Sequence, residues 1–229
     1  MRLALARFFP RGDEQAREVM ERYIDRMSRI ITDMTDLVRI EQDALALELS
    51  WIDITQTLRE IVDAYAPDAQ LRRVSLTLEG ATAPTWVRAD AQRLLQVLSN
   101  VLDNALKFTP ADGIVLVSVE HKRSLLEVRV RDTGTGIAQE MLPKVFDLST
   151  GAMPPRGMGI GLTVARRIVQ MHNGDIAIFS EGAHKGTEVV ITLPVGSRFE
   201  GSRFEGSGFE GSGFEGSTSL EPTNKEPRT

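Results

Sequence analysis

The stretch from Arg93 to Thr109, RLLQVLSNVLDNALKFT, decides how this sequence folds. At 3.6 residues per turn, one helix face collects the apolar side chains Leu94, Val97, Leu98, Val101, Ala105 and Phe108. A second face, at steps of three or four, collects Arg93, Gln96, Asn100, Asn104 and Lys107. An amide oxygen is a hard, neutral ligand that Mg²⁺ accepts, and a lysine offers a point charge to phosphate oxygens. The helix therefore carries either a metal-phosphate site or a polar face that is merely rich in amides.

The composition is that of a soluble globular protein with one or two domains. The chain has 229 residues, a hydrophobic content of 41% and a net charge of -5. The acidic balance gives no basic surface for nucleic acid, and the absence of cysteine excludes disulfides and Cys-type zinc sites. Because no apolar run approaches the roughly 18 residues of a membrane span, we expect a soluble, cytoplasmic chain.

A long amphipathic helix is predicted near the start of the chain. Neither Pro nor Gly occurs from Asp13 to Asp43, and a heptad seam runs through Met20, Ile24, Met27, Ile31, Met34 and Val38. A helix with such a broad apolar stripe needs a partner helix. We expect a homodimer through Asp13–Asp43, the alternative being that the helix packs on the domain that follows.

Residues 49–195 alternate between short strand and helix patterns. Strands are predicted at Trp51–Ile54, Val74–Leu78, Trp86–Arg88, Ile114–Glu120, Leu125–Arg131, Asp175–Ser180 and Gly186–Leu193. Helices are predicted at Thr55–Tyr65, ending near Pro67, at Arg93–Phe108 with Asp90 as N-cap, at Leu162–His172, and as a short piece at Gln139–Phe146. The stretch from there to Arg156 is irregular and indicates a mobile lid. The expected fold is an α+β two-layer sandwich, with a mixed, mostly antiparallel sheet under helices.

The last segment differs in character from the rest. From Gly196 the unit GS(R/G)FE repeats four times, and a period of five fits neither helix nor strand. We expect a disordered tail over residues 196–229. The predicted organisation is a helical region over 1–48, a domain over 49–195 and this tail.

Two glycine clusters add chemistry to the amide helix. Asp132 ends a strand and opens DTGTGI, where glycines let the backbone approach a flat ligand and the acid can accept a hydrogen bond from an amine such as that of adenine. An ordinary Asp-Gly turn is the alternative. Gly157, Gly159 and Gly161 in GMGIGL precede a helix, so their N–H groups could cradle phosphates. The run is neither a dinucleotide fingerprint nor a P-loop.

Taken in order, NVLDNALKFT, DTGTGI and GMGIGL resemble the N, G1 and G2 boxes of the sensor histidine kinase catalytic domain. The closing stretch HNGDIAIFSEGAHKGTEVVITLP looks like the final strands of that family, and the long helix is similar to the second helix of its dimerisation domain. The resemblance covers about residues 14–195. It implies a Bergerat-type ATP site of the GHKL superfamily, with ATP and Mg²⁺ as its ligands.

The resemblance also implies roles for single residues. Asn104 would coordinate Mg²⁺ with support from Asn100, and Lys107 would meet the phosphates. Asp132 would bind the adenine amine. The base pocket, the lid and the pocket floor would be formed by Gly134, Gly136, Ile137, Phe146, Gly157, Gly159, Gly161, Leu162 and Thr187.

Two departures from the family pattern affect the expected function. Phe146 is followed by Asp147, Leu148 and Ser149 rather than by a second Phe, so lid packing is expected to differ. The family's phosphoacceptor His lies on a helix, before an acidic residue and soon a Pro. The three histidines here lie in a predicted hairpin turn, near a helix C-terminus where a cation suits the dipole, and in a loop, at His121, His172 and His184. We therefore expect the helix with the acceptor to be absent.

Three functions remain open at this point. The first is a histidine kinase catalytic module that passes the γ-phosphoryl group to a His on a partner chain, from which a response regulator receives it. The second is ATP hydrolysis, which is less favoured because related hydrolases place a Glu where Asn100 stands and an amide cannot deprotonate water. The third is a non-catalytic module that binds nucleotide, dimerises and regulates. A serine kinase for an anti-sigma partner is argued against by the long helix.

Overall fold

The computed structural model describes residues 14–42, 44–147 and 160–195, all within one compact unit that spans Met1–Arg198. The expected tail and most of the expected lid lie outside these residues, and the expected domain boundaries stay predictions. The elements, in chain order, are α1 (Glu14–Glu41), β1 (Ser50–Asp53), α2 (Ile54–Leu71), β2 (Ser75–Glu79), β3 (Trp86–Ala89), α3 (Ala91–Phe108), β4 (Ile114–Lys122), β5 (Leu125–Asp132), a 3₁₀ turn (Leu142–Lys144), α4 (Ile160–Met171), β6 (Asp175–Phe179) and β7 (Thr187–Pro194).

A five-stranded sheet forms one layer of the fold, in the order β2-β4-β5-β7-β6. The β2–β4 pair is parallel and the other pairs are antiparallel, while β1 and β3 form a separate antiparallel pair. The register places Asp132, the last residue of β5, opposite Thr187, the first residue of β7. Helices cover one face of the sheet, so the predicted α+β sandwich with a mixed, mostly antiparallel sheet is confirmed.

The core lies between the sheet and the helices that cover it. Alternate residues of β4 are buried, as expected of a strand with one face in the core. Helix α3 contributes the largest set of buried apolar side chains, Leu94, Val97, Leu98, Val101, Leu102, Ala105 and Leu106. Each fully buried leucine contributes roughly 1.5–3 kcal/mol of hydrophobic free energy. The apolar face predicted for α3 is therefore its core face, although Phe108 is only half-buried.

Three local predictions were wrong. Helix α2 does not end near Pro67 but runs on to Leu71. A proline inside a helix weakens it by roughly 3 kcal/mol, yet the turn after it is kept because Ala69 is buried and the Ala69 carbonyl accepts the Val74 N–H at 2.9 Å. The helical piece predicted at residues 139–146 reduces to the 3₁₀ turn. His121 lies within β4, and the hairpin turn is formed by the two residues after β4.

The long helix α1 divides its surface between two environments. Leu37 and Ile40 pack against the core of the following domain. On the predicted heptad seam, Met27 and Ile31 are 61% and 62% exposed. Within the described parts of the chain, no helix is long and apolar enough to cross a membrane.

A polar cluster fastens α1 to the first turns of α3. Arg93 Nη1 donates to Asp36 Oδ2 at 2.5 Å and to Gln96 Oε1 at 2.9 Å. Gln96 Nε2 donates to Asp36 Oδ2 at 2.9 Å and to Asp33 Oδ1 at 3.0 Å. Asp36 is buried, so its charge depends on these donors for stabilisation.

We expect Asp36→Ala to lower the free energy of unfolding by about 3 kcal/mol, because it leaves the Arg93 guanidinium in a poorly solvated position without its partner. Chemical denaturation monitored by circular dichroism measures this loss. Asp68→Ala is the matched control, since Asp68 pairs with Arg72 at 2.8 Å on an exposed surface, where ion pairs contribute less than about 1 kcal/mol. Equal losses in the two variants would contradict the prediction.

Candidate functional site

The start of α3 is held by hydrogen bonds from two other parts of the fold. Asp90 caps the helix as predicted: its Oδ1 accepts the Arg93 N–H at 3.1 Å, and its Oδ2 accepts the Glu48 N–H at 3.0 Å. The Asp90 N–H itself donates to His172 Nε2 at 3.0 Å, just after α4. The helix that carries the predicted amide ligands is thus fixed to the segment that follows α1 and to the end of α4.

His172 is a buried structural residue. Because Nε2 accepts a backbone N–H, the ring proton is on Nδ1, which lies 2.8 Å from the Ile168 carbonyl and donates to it. Both ring nitrogens are thus engaged, Nε2 with the start of α3 and Nδ1 with α4 itself.

The middle of α3 contacts the first turn of α4. Asn100 Nδ2 donates to the Gly161 carbonyl at 3.0 Å. A Cβ at position 161 would lie 3.1 Å from Asn100 Cγ, so a larger residue there would require the Asn100 side chain to shift by a few tenths of an ångström. The structure therefore joins two of the predicted site residues, one from each of two motifs separated by 61 positions in the chain.

The other two polar residues of this face lie further along α3. Asn104 follows Asn100 by one turn and is half-buried, as is Lys107. The ammonium of Lys107 lies 4.6 Å from the centre of the Phe108 ring, within the range of a cation–π contact. The two amides and the lysine thus form a continuous strip on the second half of the helix.

The glycine turn after β5, residues 133–137 and here called the G1 turn, packs against the end of α3. The Thr135 N–H donates to the Phe108 carbonyl at 3.1 Å. A Cβ on Gly134 would lie 2.6 Å from that same carbonyl oxygen. Gly136 has φ of +66°, and a Cβ there would lie 2.1 Å from the Gly182 carbonyl oxygen. Both glycines are needed because backbone approaches backbone at this place.

Asp132 is a buried carboxylate whose two oxygens differ. Its Oδ1 accepts the Gly134 N–H at 2.8 Å and the Thr187 N–H at 3.2 Å. Both of these backbone donors reach Oδ1 and neither reaches Oδ2. Burial raises the pKa of Asp132 above its ordinary value, and the two backbone N–H groups act against that rise. A ligand amine would find in Oδ2 the acceptor it requires.

A cavity of about 530 Å³ opens at this end of the sheet. That volume lies in the range of about 300–1,000 Å³ typical of small-molecule sites. Its lining includes Asp132, Thr187, Ser180, Gly186 and Leu142. Among the described residues, the three polar residues of α3 are not part of that lining. The predicted site residues therefore form two neighbouring groups, connected where the G1 turn meets the end of α3.

The described side of the expected lid is anchored on α4. Phe146 is half-buried, and the guanidinium carbon of Arg166 lies 4.9 Å from the centre of its ring. The Phe146 carbonyl accepts the hydroxyl proton of Thr163 at 2.7 Å. Leu162, in the first turn of α4, packs against the core. Gly157 and Gly159 lie outside the described residues, so their expected phosphate contacts remain predictions.

Comparison with known proteins agrees with this geometry. Residues 89–197 match a family model described as the histidine kinase-, DNA gyrase B-, and HSP90-like ATPase. These residues form a domain of that family. The resemblance to a sensor histidine kinase catalytic domain is thereby confirmed.

Individual relatives extend the likeness beyond the matched domain. Over 75% of its length the chain is 33% identical to the sensor histidine kinase CusS of Escherichia coli (strain K12), of which it spans 36%. The structure of the Acinetobacter baumannii histidine kinase AdeS matches 86% of this chain and 92% of its own, with a TM-score of 0.65 and 22% identity. ShkA, solved with AMPPNP, gives a TM-score of 0.69 and 24% identity over 82% of this chain and 40% of its own. At these identities the two structures support the fold.

Two features of this ATPase-family domain were not found from the sequence. One is the pair Asp90–His172, because nothing in the sequence shows that the end of α4 lies beside the start of α3. The other is Ser180, whose hydroxyl accepts the Ile137 N–H at 2.9 Å. A serine at the end of a strand, followed closely by glycine, is a recognised turn signal and could have indicated it.

The raised pKa of Asp132 predicts how stability depends on pH. Its folded-state pKa lies above the unfolded value, so the folded protein binds the proton more tightly and this group's contribution to stability falls as pH rises through that window. We expect Asp132→Asn to be at least as stable as wild type near pH 7, because an amide oxygen can accept the same two N–H groups.

Urea titrations of both proteins near pH 7 and at mildly acidic pH measure this effect, since other carboxylates cancel in the difference. The advantage of Asp132→Asn should shrink on acidification. A variant less stable than wild type by more than about 1.5 kcal/mol near pH 7 would show that the carboxylate stabilises the fold, on the scale of a charged hydrogen bond.

Proposed function

We propose that this chain is the catalytic module of a histidine kinase, which binds Mg-ATP and transfers its γ-phosphoryl group to a histidine on a partner chain. The observation that carries the proposal is the buried Asp132, which lines a ligand-sized cavity and has one oxygen held by two backbone N–H groups. The amide strip of α3 lies one backbone contact away, through the Phe108 carbonyl. The family match and the AMPPNP-bound structure of ShkA support a nucleotide as the ligand.

The residues on α3 fit the magnesium ion that the proposal requires. Mg²⁺ prefers oxygen ligands, keeps several waters, and is usually held by one or two protein groups together with substrate phosphates. Asn104 would supply an amide oxygen, with Asn100 in support. The described residues contain no cluster of three or more His, Asp or Glu side chains that could hold the ion instead. When bound, the ion neutralises phosphate charge.

The chain's own residues would act by positioning and by charge. Phosphoryl transfer needs little covalent participation from a protein, because an aligned acceptor and neutralised phosphates account for most of the rate. Lys107 would add a positive charge beside the phosphates, while Asp132 would fix the base. The acceptor imidazole nitrogen bonds to the γ-phosphorus as the bond from phosphorus to the β,γ-bridging oxygen breaks, and ADP leaves.

Hydrolysis is disfavoured by the chemistry of Asn100. An amide cannot take a proton from water. In this structure the Asn100 side chain is instead used to hold the Gly161 carbonyl. The hydrogen bond from Asn100 to Gly161 gives this amide a role in joining α3 to α4, and that role does not require a base.

The partner side of the proposal comes from α1. Its seam residues Met27, Ile31, Met34 and Val38 are all about half exposed or more, while its opposite side is bonded to the domain. We therefore propose that a second copy covers the seam, giving a homodimer with a helical bundle. The bundle and its associated His-bearing phosphoacceptor domain would pass the phosphoryl group to a response regulator.

A non-catalytic nucleotide-binding module is the second candidate. It is favoured by the histidines, since His172 is buried with both ring nitrogens engaged, and neither His121 nor His184 lies on a helix. No histidine of this chain is thus placed as the acceptor of the family pattern. Phosphoryl transfer must therefore be tested with the acceptor supplied separately.

Transfer of labelled γ-phosphate distinguishes the two candidates. The chain is incubated with labelled ATP and Mg²⁺, with and without a separately purified helical domain that carries an acceptor His. We expect acid-labile label on the added domain only. Asn104→Ala should abolish the transfer and Gln92→Ala, an exposed position on α3, should not. ATP binding without any labelled acceptor would favour the non-catalytic module.

The role of Asp132 predicts a selective loss of affinity. We expect Asp132→Asn to weaken ATP binding by about 1.5–3 kcal/mol, or roughly ten- to a hundred-fold, the scale of a charged hydrogen bond. Isothermal titration calorimetry with ATP and with a purine nucleotide that lacks the exocyclic amine measures it. The amine-lacking nucleotide should bind both proteins about equally. If both nucleotides lose the same affinity, Asp132 does not contact the amine.

The exposed heptad seam of α1 predicts that the chain is a dimer and that a single charged substitution on the seam makes it a monomer. We expect the chain to be a dimer in analytical ultracentrifugation, and Ile31→Glu to be a monomer, because a charge would be buried in the helix–helix contact. Thr32→Glu is the control, since Thr32 is exposed beside the seam. A wild-type monomer at high micromolar concentration would remove the dimer from the proposal.

A further inference from the structure

We propose that Ser180 is a positioning residue for the base end of the nucleotide site, where its hydroxyl holds the G1 turn against the turn that precedes β7. This inference rests on the proposed function, because it assigns Ser180 a role in binding the base of ATP. Ser180 does not have to touch the nucleotide. It acts through the backbone segments on either side of Asp132.

The Ser180 hydroxyl uses its donor and acceptor capacity on two different segments. Its oxygen accepts the Ile137 N–H of the G1 turn at 2.9 Å. Its proton is donated to the Gly186 carbonyl at 2.7 Å. A hydroxyl has a single proton, so these two contacts define its orientation. Gln139 Nε2 adds a bond to the Ser180 carbonyl at 2.8 Å.

The two segments that Ser180 joins are held together by hydrogen bonds, among them the His184 N–H donating to the Thr135 carbonyl at 2.6 Å. They meet backbone to backbone: a Cβ at Gly186 would lie 2.0 Å from the Asp132 carbonyl oxygen, and one at Gly136 would lie 2.1 Å from the Gly182 carbonyl oxygen. Such close contact leaves no room for apolar side chains between them. The relative position of the two segments therefore depends on hydrogen bonds, and the Ser180 hydroxyl contributes two of them.

The backbone bonds in this contact lead directly to Asp132. The Gly186 N–H donates to the Gly134 carbonyl at 3.1 Å. The next residue, Thr187, donates its N–H to Asp132 Oδ1 at 3.2 Å. A shift of Gly186 would therefore move one of the two donors that orient the Asp132 carboxylate. Ser180, Gly186, Thr187 and Asp132 also line the same cavity.

Removal of the hydroxyl is expected to affect the base end of the site and to spare the phosphate end. Without it, the Ile137 N–H and the Gly186 carbonyl each lose a partner at a half-buried place. The amide strip of α3 is fixed by other contacts, through Asp90 at its start and Gly161 at its middle. Loss of affinity should thus depend on whether the ligand has a base.

The test uses an isosteric pair at position 180. Ser180→Thr retains a hydroxyl and Ser180→Val replaces it with a methyl group of nearly the same size. Calorimetry with Mg-ATP and with Mg-tripolyphosphate, which has no base, separates the two ends of the site. Ser118→Ala is the control, because Ser118 is a half-buried serine in the middle of β4, away from the cavity.

We expect Ser180→Val to bind ATP about five- to twenty-fold more weakly than wild type and tripolyphosphate within about twofold of it, matching the loss of one or two hydrogen bonds. Ser180→Thr and Ser118→Ala should bind ATP within about twofold of wild type. In the transfer assay with a separate His-bearing domain, Ser180→Val should raise KM for ATP and leave kcat unchanged.

Several results would overturn the inference. A Val variant that binds ATP as tightly as wild type would show that the hydroxyl is not needed. An equal loss for ATP and tripolyphosphate would show general damage. A Thr variant that binds ATP as weakly as the Val variant would point to size. If wild type itself does not bind ATP, the proposed function fails with it, and that result is distinguishable from all the others.

Discussion

The site depends on two backbone N–H groups that share one oxygen of a buried carboxylate. Gly134 reaches Asp132 Oδ1 from the G1 turn and Thr187 reaches it from the start of β7, so the sheet register that pairs β5 with β7 is what makes the second contact possible. A buried carboxylate without such donors would be strongly disfavoured. Because Asp132 Oδ1 accepts both N–H groups, the orientation of the whole carboxylate, and so the position of Oδ2, is fixed. Glycines occur nearby because the backbone segments that donate these hydrogen bonds contact each other directly and leave no room for a side chain.

The other parts of the site are positioned by their contacts with helix α3. Its apolar face fills the core, its first turns are bonded to α1 and α4, its middle meets Gly161 and its end meets the G1 turn. Together these contacts give the polar strip of α3 one position relative to the G1 turn and to Gly161, as preorganised binding requires.

Much of this arrangement could be predicted from local patterns. The apolar period of α3, its Asp90 cap and the alternation of β4 are properties of consecutive residues, and they led to the correct elements. Pro67 led to a wrong prediction of where α2 ends, because the burial of Ala69 beyond it overcame the local preference of proline to end a helix. The contact of His172 was beyond local patterns for a related reason. Its Nε2 accepts a backbone N–H that lies 82 positions away in the chain.

The cavity was also beyond sequence reasoning, although Asp132 and Thr187 were both named in advance. Motif order indicates which residues belong to a site but not how close they come. The structure separates the residues around Asp132 from the strip on α3 and shows the backbone contact between them. Ser180 belongs to the first group because β6 ends beside the G1 turn, which is a consequence of strand order rather than of composition.

The direction of the two helices has an electrostatic consequence for any anion that binds between them. Asp90, Asp33 and Asp36 surround the beginning of α3, where the helix dipole is positive, and Lys107 stands in its last turn, where the dipole is negative. The amide strip thus lies toward the carboxyl-terminal end of α3, where the helix dipole is negative and repels anions. Helix α4, in contrast, meets Asn100 with its amino-terminal turn and so presents the attracting pole. A polyphosphate in this gap would experience opposed fields from the two helices, and the lysine and a divalent cation would offset the unfavourable one.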